Sequence, residues 1–87
     1  MIPALHVRRI QIAAGDELAF EAADWRDSIV FVLNGRLEFE CGGIRWSLAS
    51  GAILSLDGLA PRRLENRGRE AVLLIAVSRR HAPSHLH

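Results

Sequence analysis

The sequence predicts an all-β domain of about eight short strands with no substantial helix. Three observations carry that expectation. Apolar residues alternate with polar ones or form short unbroken runs, and none recur at helical spacing. Turn residues punctuate the chain at short intervals, as at Gly15, Asn34-Gly35, Gly42-Gly43 and Gly51. Finally, 87 residues with 49% hydrophobic content suit one small domain and exclude disorder.

Each element follows in order. Leu5 to Ile12 alternates loosely and reads as a strand. Ala13 to Asp16 is a turn, and Glu17 to Glu21 a second strand. Ala22 to Asp27 is polar and reads as a loop. Ser28 to Leu33 (SIVFVL) is continuously apolar, as in a strand covered on both faces. Asn34-Gly35 predicts a type I′ hairpin, which needs positive φ at both central residues. Arg36 to Cys41 alternates strictly, with Leu37, Phe39 and Cys41 inward and Arg36, Glu38 and Glu40 outward. Gly42-Gly43 is a second tight turn. Ile44 to Leu48 returns with Ile44, Trp46 and Leu48 on one face. Ala52 to Leu56 and Arg62 to Asn66 are short strands, with Pro61 at a strand's beginning because it cannot donate to a ladder. Arg69 to Ser78 is the last and most apolar strand. The domain is therefore expected over residues 1–78, with 79–87 a flexible polar tail.

Composition removes several kinds of chemistry. The longest apolar run, Ala71 to Val77, is too short to cross a bilayer as a helix, and the N-terminal residues lack a signal-peptide core. A single cysteine, Cys41, makes neither an internal disulfide nor a thiolate zinc site, so a reducing cytoplasm is the expected setting. The net charge of +1 gives no electrostatic reason to expect nucleic acid, and the arginines at 62, 63, 67 and 69 are interleaved with Glu65 and Glu70. All eleven basic residues are Arg, and Tyr is absent. Lysine bases, Schiff bases and phenolic acids are thus unavailable.

Two glycine-framed spacings then stand out. Gly15 is followed by Glu21, Ala23, Ser28 and Gly35, and Gly51 by Asp57, Leu59, Arg62 and Asn66, with fifteen residues between Gly35 and Gly51. These resemble the two signature motifs of the cupin superfamily, small jelly-roll barrels also described as a double-stranded β-helix. The resemblance covers Gly15 to Asn66. It implies a metal held by three histidines and one carboxylate inside the barrel. Here those four positions are Glu21, Ala23, Ser28 and Arg62, so only one good ligand remains, beside a guanidinium that repels a divalent cation. No metal or other cofactor is expected.

Alternation places Arg62, Leu64 and Asn66 on one face, which the resemblance turns inward, with Glu21, Ala23 and Ser28 converging on it. Arg62 then has three courses: to reach solvent at the barrel mouth, to pair with Glu21, or to bind an anion. Glu21, Ser28, Arg62, Trp46 and Phe39 are the candidate ligand-binding residues of the interior. The aromatic residues among them also serve as ordinary core in so small a barrel. Trp25 either covers a barrel end or joins a dimer contact. His81, His85 and His87 in the tail offer at most adventitious metal binding.

The expected function is that of a metal-free cupin-like domain of a small-molecule-binding, sensing or protein-interaction type. Its ligand would be small and anionic or apolar. Cupin-like barrels of arabinose-repressor-type regulators are the nearest implied analogy. These 87 residues show no helix-turn-helix pattern, so contact with DNA would run through a partner. The alternative is an enzyme, either a metal-dependent dioxygenase or isomerase, or a metal-free sugar isomerase or epimerase relying on Glu21 and Asp57. A homodimer is expected, because a chain of this size buries only roughly 60–65% of its unfolded surface.

Overall fold

Alternation, turn glycines and apolar runs produce eight antiparallel strands arranged as two four-stranded sheets. The computed structural model describes residues 5–56 and 58–79. The strands are β1 (Leu5–Ile12), β2 (Glu17–Ala19), β3 (Ser28–Asn34), β4 (Arg36–Cys41), β5 (Ile44–Ala49), β6 (Ile53–Ser55), β7 (Arg63–Glu65) and β8 (Val72–Arg79). One sheet has the order β1-β8-β3-β6 and the other β2-β7-β4-β5. The sole helical element among the described residues is a 3₁₀ turn at Ala22–Trp25. Residues 80–87, which include most of the expected tail and His81, His85 and His87, lie outside the described residues, as does Asp57.

Period-two patterning builds the core between the sheets. Val30 and Val32 from β3, Val72, Leu74 and Ala76 from β8, and Ile12 from β1 face Leu37 and Phe39 from β4 and Leu64 from β7. All are buried, and most are completely enclosed. Such close packing leaves the interior filled by side chains, as small barrels favour.

Two turns show how local chemistry sets the path. Gly42 and Gly43 have φ of +61° and +79° and close the β4–β5 hairpin, with Cys41 opposite Ile44. The Asn34-Gly35 turn differs from the expected type I′ hairpin. It is a corner at which the chain passes from one sheet to the other. Asn34 pairs with Leu73 after a bulge in β3, and its side-chain amide donates to the Ala71 carbonyl at 3.3 Å. Gly35 alone takes a positive φ there, +77°. A Cβ at this position would sit 2.7 Å from the Ala71 oxygen, so close approach as well as conformation demands glycine.

The outer faces of the two sheets differ in kind. Outside the β2-β7-β4-β5 sheet lie Glu17, Arg63, Glu65, Glu38 and Arg45, which form ion pairs across the strands and, between Arg63 and Glu65, along β7. Outside the β1-β8-β3-β6 sheet lie Val7, Val77 and Ile29 in one row and Ile75, Phe31 and Ile53 in the next.

Candidate functional site

The residues around Glu21 and Ala23 are set by how the chain leaves β2. The Phe20 amide donates to the Arg62 carbonyl at 3.0 Å, and beyond it the backbone leaves the sheet for the 3₁₀ turn. Glu21 is extended (φ −112°, ψ 110°), and its carbonyl accepts from the Asp24 amide at 2.9 Å. The Glu21 and Ala23 side chains are exposed. The turn instead drives Trp25 inward until it is 3% exposed. Its ring stacks on Phe20 with centroids 6.0 Å apart and planes 18° apart. On its other contact, the Arg8 guanidinium lies 4.9 Å from the indole centroid and donates to the Asp24 carbonyl. Arg8, Trp25 and Phe20 therefore stopper one end of the barrel. Of the two courses open for Trp25, the structure takes the first.

Ser28 starts β3 on the inner face and is buried, its hydroxyl donating to the Arg26 carbonyl at 3.4 Å. Arg62 precedes β7 by one residue and is exposed, while Leu64 and Asn66 of the same alternation are buried. Among the described residues no ion pair joins Arg62 to Glu21. The expected inward Arg62 is thus corrected to the first of its three courses: Leu64 and Asn66 keep the inward parity, but a guanidinium with no buried counter-charge reaches solvent.

The four positions matching the metal-ligand motif do not converge. Ala23 borders a groove with His6, Arg8 and Arg26. Ser28 borders another with Asp27, Ser55 and Ser78. Arg62 borders a third, and Glu21 lines none of these. Nor do Trp46 and Phe39 enclose a pocket with them. Phe39 is completely buried in the core, and Trp46 stacks on it at 6.2 Å and 14° but is 41% exposed. Its strand, β5, is the sheet edge, so part of its inward face has nothing opposite. The candidate interior set of Glu21, Ser28, Arg62, Trp46 and Phe39 is therefore dispersed. Among the described residues, no three His, Cys, Asp or Glu side chains lie close enough to share an ion. The donors present do not fit the metal that the motif implies.

The groove beside Arg62 has a volume of about 600 Å³ and carries most of the local charge. Arg45, Arg62, Arg63 and Arg67 line it together with Glu40 and Glu65. Glu65 is the hub, accepting from Arg45 at 2.9 Å and from Arg67 at 3.1 Å, with Arg63 at 3.8 Å. Partial burial pushes the Glu65 carboxyl up, but the Arg45 hydrogen bond and the charges of Arg45, Arg67 and Arg63 outweigh it and hold it below the usual carboxylate range. Arg62 has no ion-pair partner among the described residues. Gly42 and Gly43 form the floor's turn, and the Cys41 thiol beside them donates to the Leu59 carbonyl.

Asn66 is structural. Its Nδ2 donates to the Ile12 and Glu70 carbonyls at 2.9 and 2.7 Å, and its Oδ1 accepts from the Gly68 amide at 3.0 Å. Its backbone also bonds with Gly15 and Asp16, so one buried amide ties the end of β1, the first turn and the 66–70 turn together. Sequence reasoning marked Asn66 as the end of a motif and placed it on the inward face, but gave it no role. The signal that could have found its role is a lone Asn on an otherwise apolar inward face, where its polar atoms must be satisfied.

No protein-family model matches this chain, and no curated protein matches it. Solved structures do. A Cupin 2 conserved barrel domain protein from Salinispora arenicola superposes with a TM-score of 0.71 at 21% identity over 87% of this chain. The chain spans 64% of that protein's length. A conserved protein of unknown function from Streptococcus pyogenes gives a TM-score of 0.64 at 19% identity, covering 94% of this chain and 70% of its own. The Cupin_2 domain of an XRE family transcriptional regulator from Enterobacter cloacae gives 0.57 at 21%, covering 90% and 83%. Two packed antiparallel sheets, glycine corners at the motif positions and these superpositions give one conclusion: this chain has the cupin barrel fold.

Proposed function

We propose that this chain is a metal-free cupin domain that works by binding rather than by catalysis, and that its ligand is a small anion. The observation that carries the reading is the dispersal of Glu21, Ala23, Ser28 and Arg62 around a barrel whose interior is filled by Phe39, Leu64 and their neighbours. The chemistry of a cupin centre needs those side chains to converge on one point, and here Ala23, Ser28 and Arg62 border three different grooves while Glu21 is exposed outside them. A binding role needs only a surface, and the arginine groove supplies one. Its volume lies within the range of small-molecule sites. Four guanidinium groups against two carboxylates leave it positive. Arg62, unengaged by the Glu65 hub, offers the planar fork that holds carboxylate or phosphate. That one structural neighbour is the cupin domain of a transcriptional regulator supports a binding or sensing role. A cytoplasmic setting belongs to the same proposal and rests on the lone cysteine.

Titration calorimetry with inorganic phosphate and with citrate tests this reading. Saturable binding is expected, weakened about 10- to 100-fold in Arg62→Ala, as for loss of one charge-assisted contact. Binding that is absent for both probes, or indifferent to Arg62→Ala, would remove the anion from the proposal.

A further inference from the structure

We infer that the groove at the stoppered end of the barrel is a second anion site, separate from the one beside Arg62, and that it takes a small phosphomonoester. The argument starts from strand parity. In β8, Val72, Leu74 and Ala76 are buried on the core side, and Ser78 continues that side. The register sets Ser78 directly opposite both His6 of β1 and Ser28 of β3. The inner face of this sheet is apolar along most of its length, through Ile10, Ile12, Val30, Val32 and Leu74. It ends in a polar row, His6-Ser78-Ser28, with Arg8 in the row before it, opposite Ala76.

At that end lies a groove of about 380 Å³, within the range of small-molecule sites. His6, Arg8, Ser78 and Arg79 line it from the sheet, and Asp24 and Arg26 from the chain between β2 and β3. Charge sets the sign of the ligand. Three guanidinium groups stand against the one carboxylate of Asp24, with Asp27 in the adjoining groove. Among the described residues no ion pair engages Arg8, Arg26 or Arg79. The groove beside Arg62 differs in this respect, because there Glu65 holds Arg45, Arg63 and Arg67.

Arg8 is also fixed in place. Its guanidinium lies 4.9 Å from the Trp25 indole centroid and donates to the Asp24 carbonyl. A guanidinium has five N–H groups, so this anchoring leaves others for a ligand. An arginine already ordered loses little freedom on binding. The variety of donors favours phosphate over carboxylate. A planar carboxylate is satisfied by a single guanidinium fork. Here donors come from β1, β8 and the 3₁₀ segment, and include an imidazole and a serine hydroxyl as well as guanidinium groups. A phosphomonoester presents three terminal oxygens and a charge of about −1.5 to −2, which matches that set.

Trp25 lies beneath Arg8, so its fluorescence reports on this groove. Trp46→Phe leaves Trp25 as the single tryptophan, and glycerol 3-phosphate is the probe. A saturable change in emission is expected, with a Kd of about 1 mM or below. It should weaken at least 10-fold in Arg26→Ala and in Arg79→Ala, and stay unchanged in Arg62→Ala. Acetate at matched ionic strength should bind at least 10-fold more weakly than the phosphomonoester. No saturable change up to about 10 mM would overturn the inference. So would a change lost in Arg62→Ala but kept in Arg26→Ala and Arg79→Ala, and equal affinity for acetate would overturn the phosphomonoester. Where Trp46→Phe does not fold, calorimetry of the natural sequence with the same probe decides: binding kept in Arg62→Ala and lost in Arg26→Ala supports the site, and the reverse pattern overturns it. Each groove is silenced by its own arginines, so the failure of one site leaves the other standing.

Discussion

Replacing Asn66 probes the joint on which the whole barrel closes. Asn66 is 1% exposed and makes three side-chain hydrogen bonds, to the Ile12 carbonyl, the Glu70 carbonyl and the Gly68 amide. Asn66→Ala removes all three. At about 1 kcal/mol net each, the expected loss is about 3 kcal/mol, and the stranded carbonyls add to it where water cannot reach them. For a domain of this size that is a fall in Tm of about 12–24 °C. Urea unfolding followed by the fluorescence of the two tryptophans, Trp25 and Trp46, reads the free energy directly. Asn66→Asp sharpens the test. It keeps the acceptor for Gly68 but turns an oxygen, in place of the donating nitrogen, toward two carbonyls. Burial beside those dipoles raises the folded-state pKa of the new carboxyl above its unfolded value. The penalty is therefore full where that group would ionise and eases as the pH falls and it protonates. The Asn66→Asp deficit should be larger at pH 7 than at pH 4, whereas the Asn66→Ala deficit should change little. A loss below about 1 kcal/mol in Asn66→Ala would refute the idea that this amide ties the strands together.

Three further outcomes follow from the packing. Trp25→Ala empties the stoppered barrel end and is expected to cost about 3–5 kcal/mol, close to full unfolding for so small a domain, while Trp25→Phe should remain folded; thermal melts distinguish them. Gly35→Ala combines a positive φ with a clash against the Ala71 carbonyl, so it should cost at least about 2 kcal/mol more than Gly51→Ala, which meets nothing within 4 Å; paired urea titrations measure the difference. The depressed folded-state pKa of Glu65 means that its ionised pairing stabilises the fold above the ordinary carboxylate range and is lost as pH falls through the lower, folded value. The Tm gap between wild type and Glu65→Gln should accordingly shrink in acid, and a gap that grows there would contradict the hub.

Particular residues show why much of the fold was legible and the site was not. Strict alternation in Arg36 to Cys41 and the Gly42-Gly43 turn are local signals, and the structure follows both. Asn34-Gly35 carries an equally strong local signal, yet tertiary context made it a corner between sheets, with Ala71 pressing on the glycine. The loop 22–27 reads as polar because Asp24, Arg26 and Asp27 surround its one aromatic ring, and nothing local says that the ring turns inward. Arg62 failed for a simpler reason. Parity groups Arg62 with the buried Leu64 and Asn66, but an arginine with no buried counter-charge beside it extends to solvent whatever its parity. The apolar run of β3 was read as covered on both faces, and within a single chain only its inner face is.

The central claim is a cupin barrel without a metal centre, and calorimetric titration with Mn²⁺, Ni²⁺ and Zn²⁺ tests it most directly. The chain to use carries His81→Ala, His85→Ala and His87→Ala, so that the terminal imidazoles do not report. The account predicts no stoichiometric binding and no rise in Tm with any of the three ions. One equivalent bound per chain, abolished by Glu21→Ala, would contradict it.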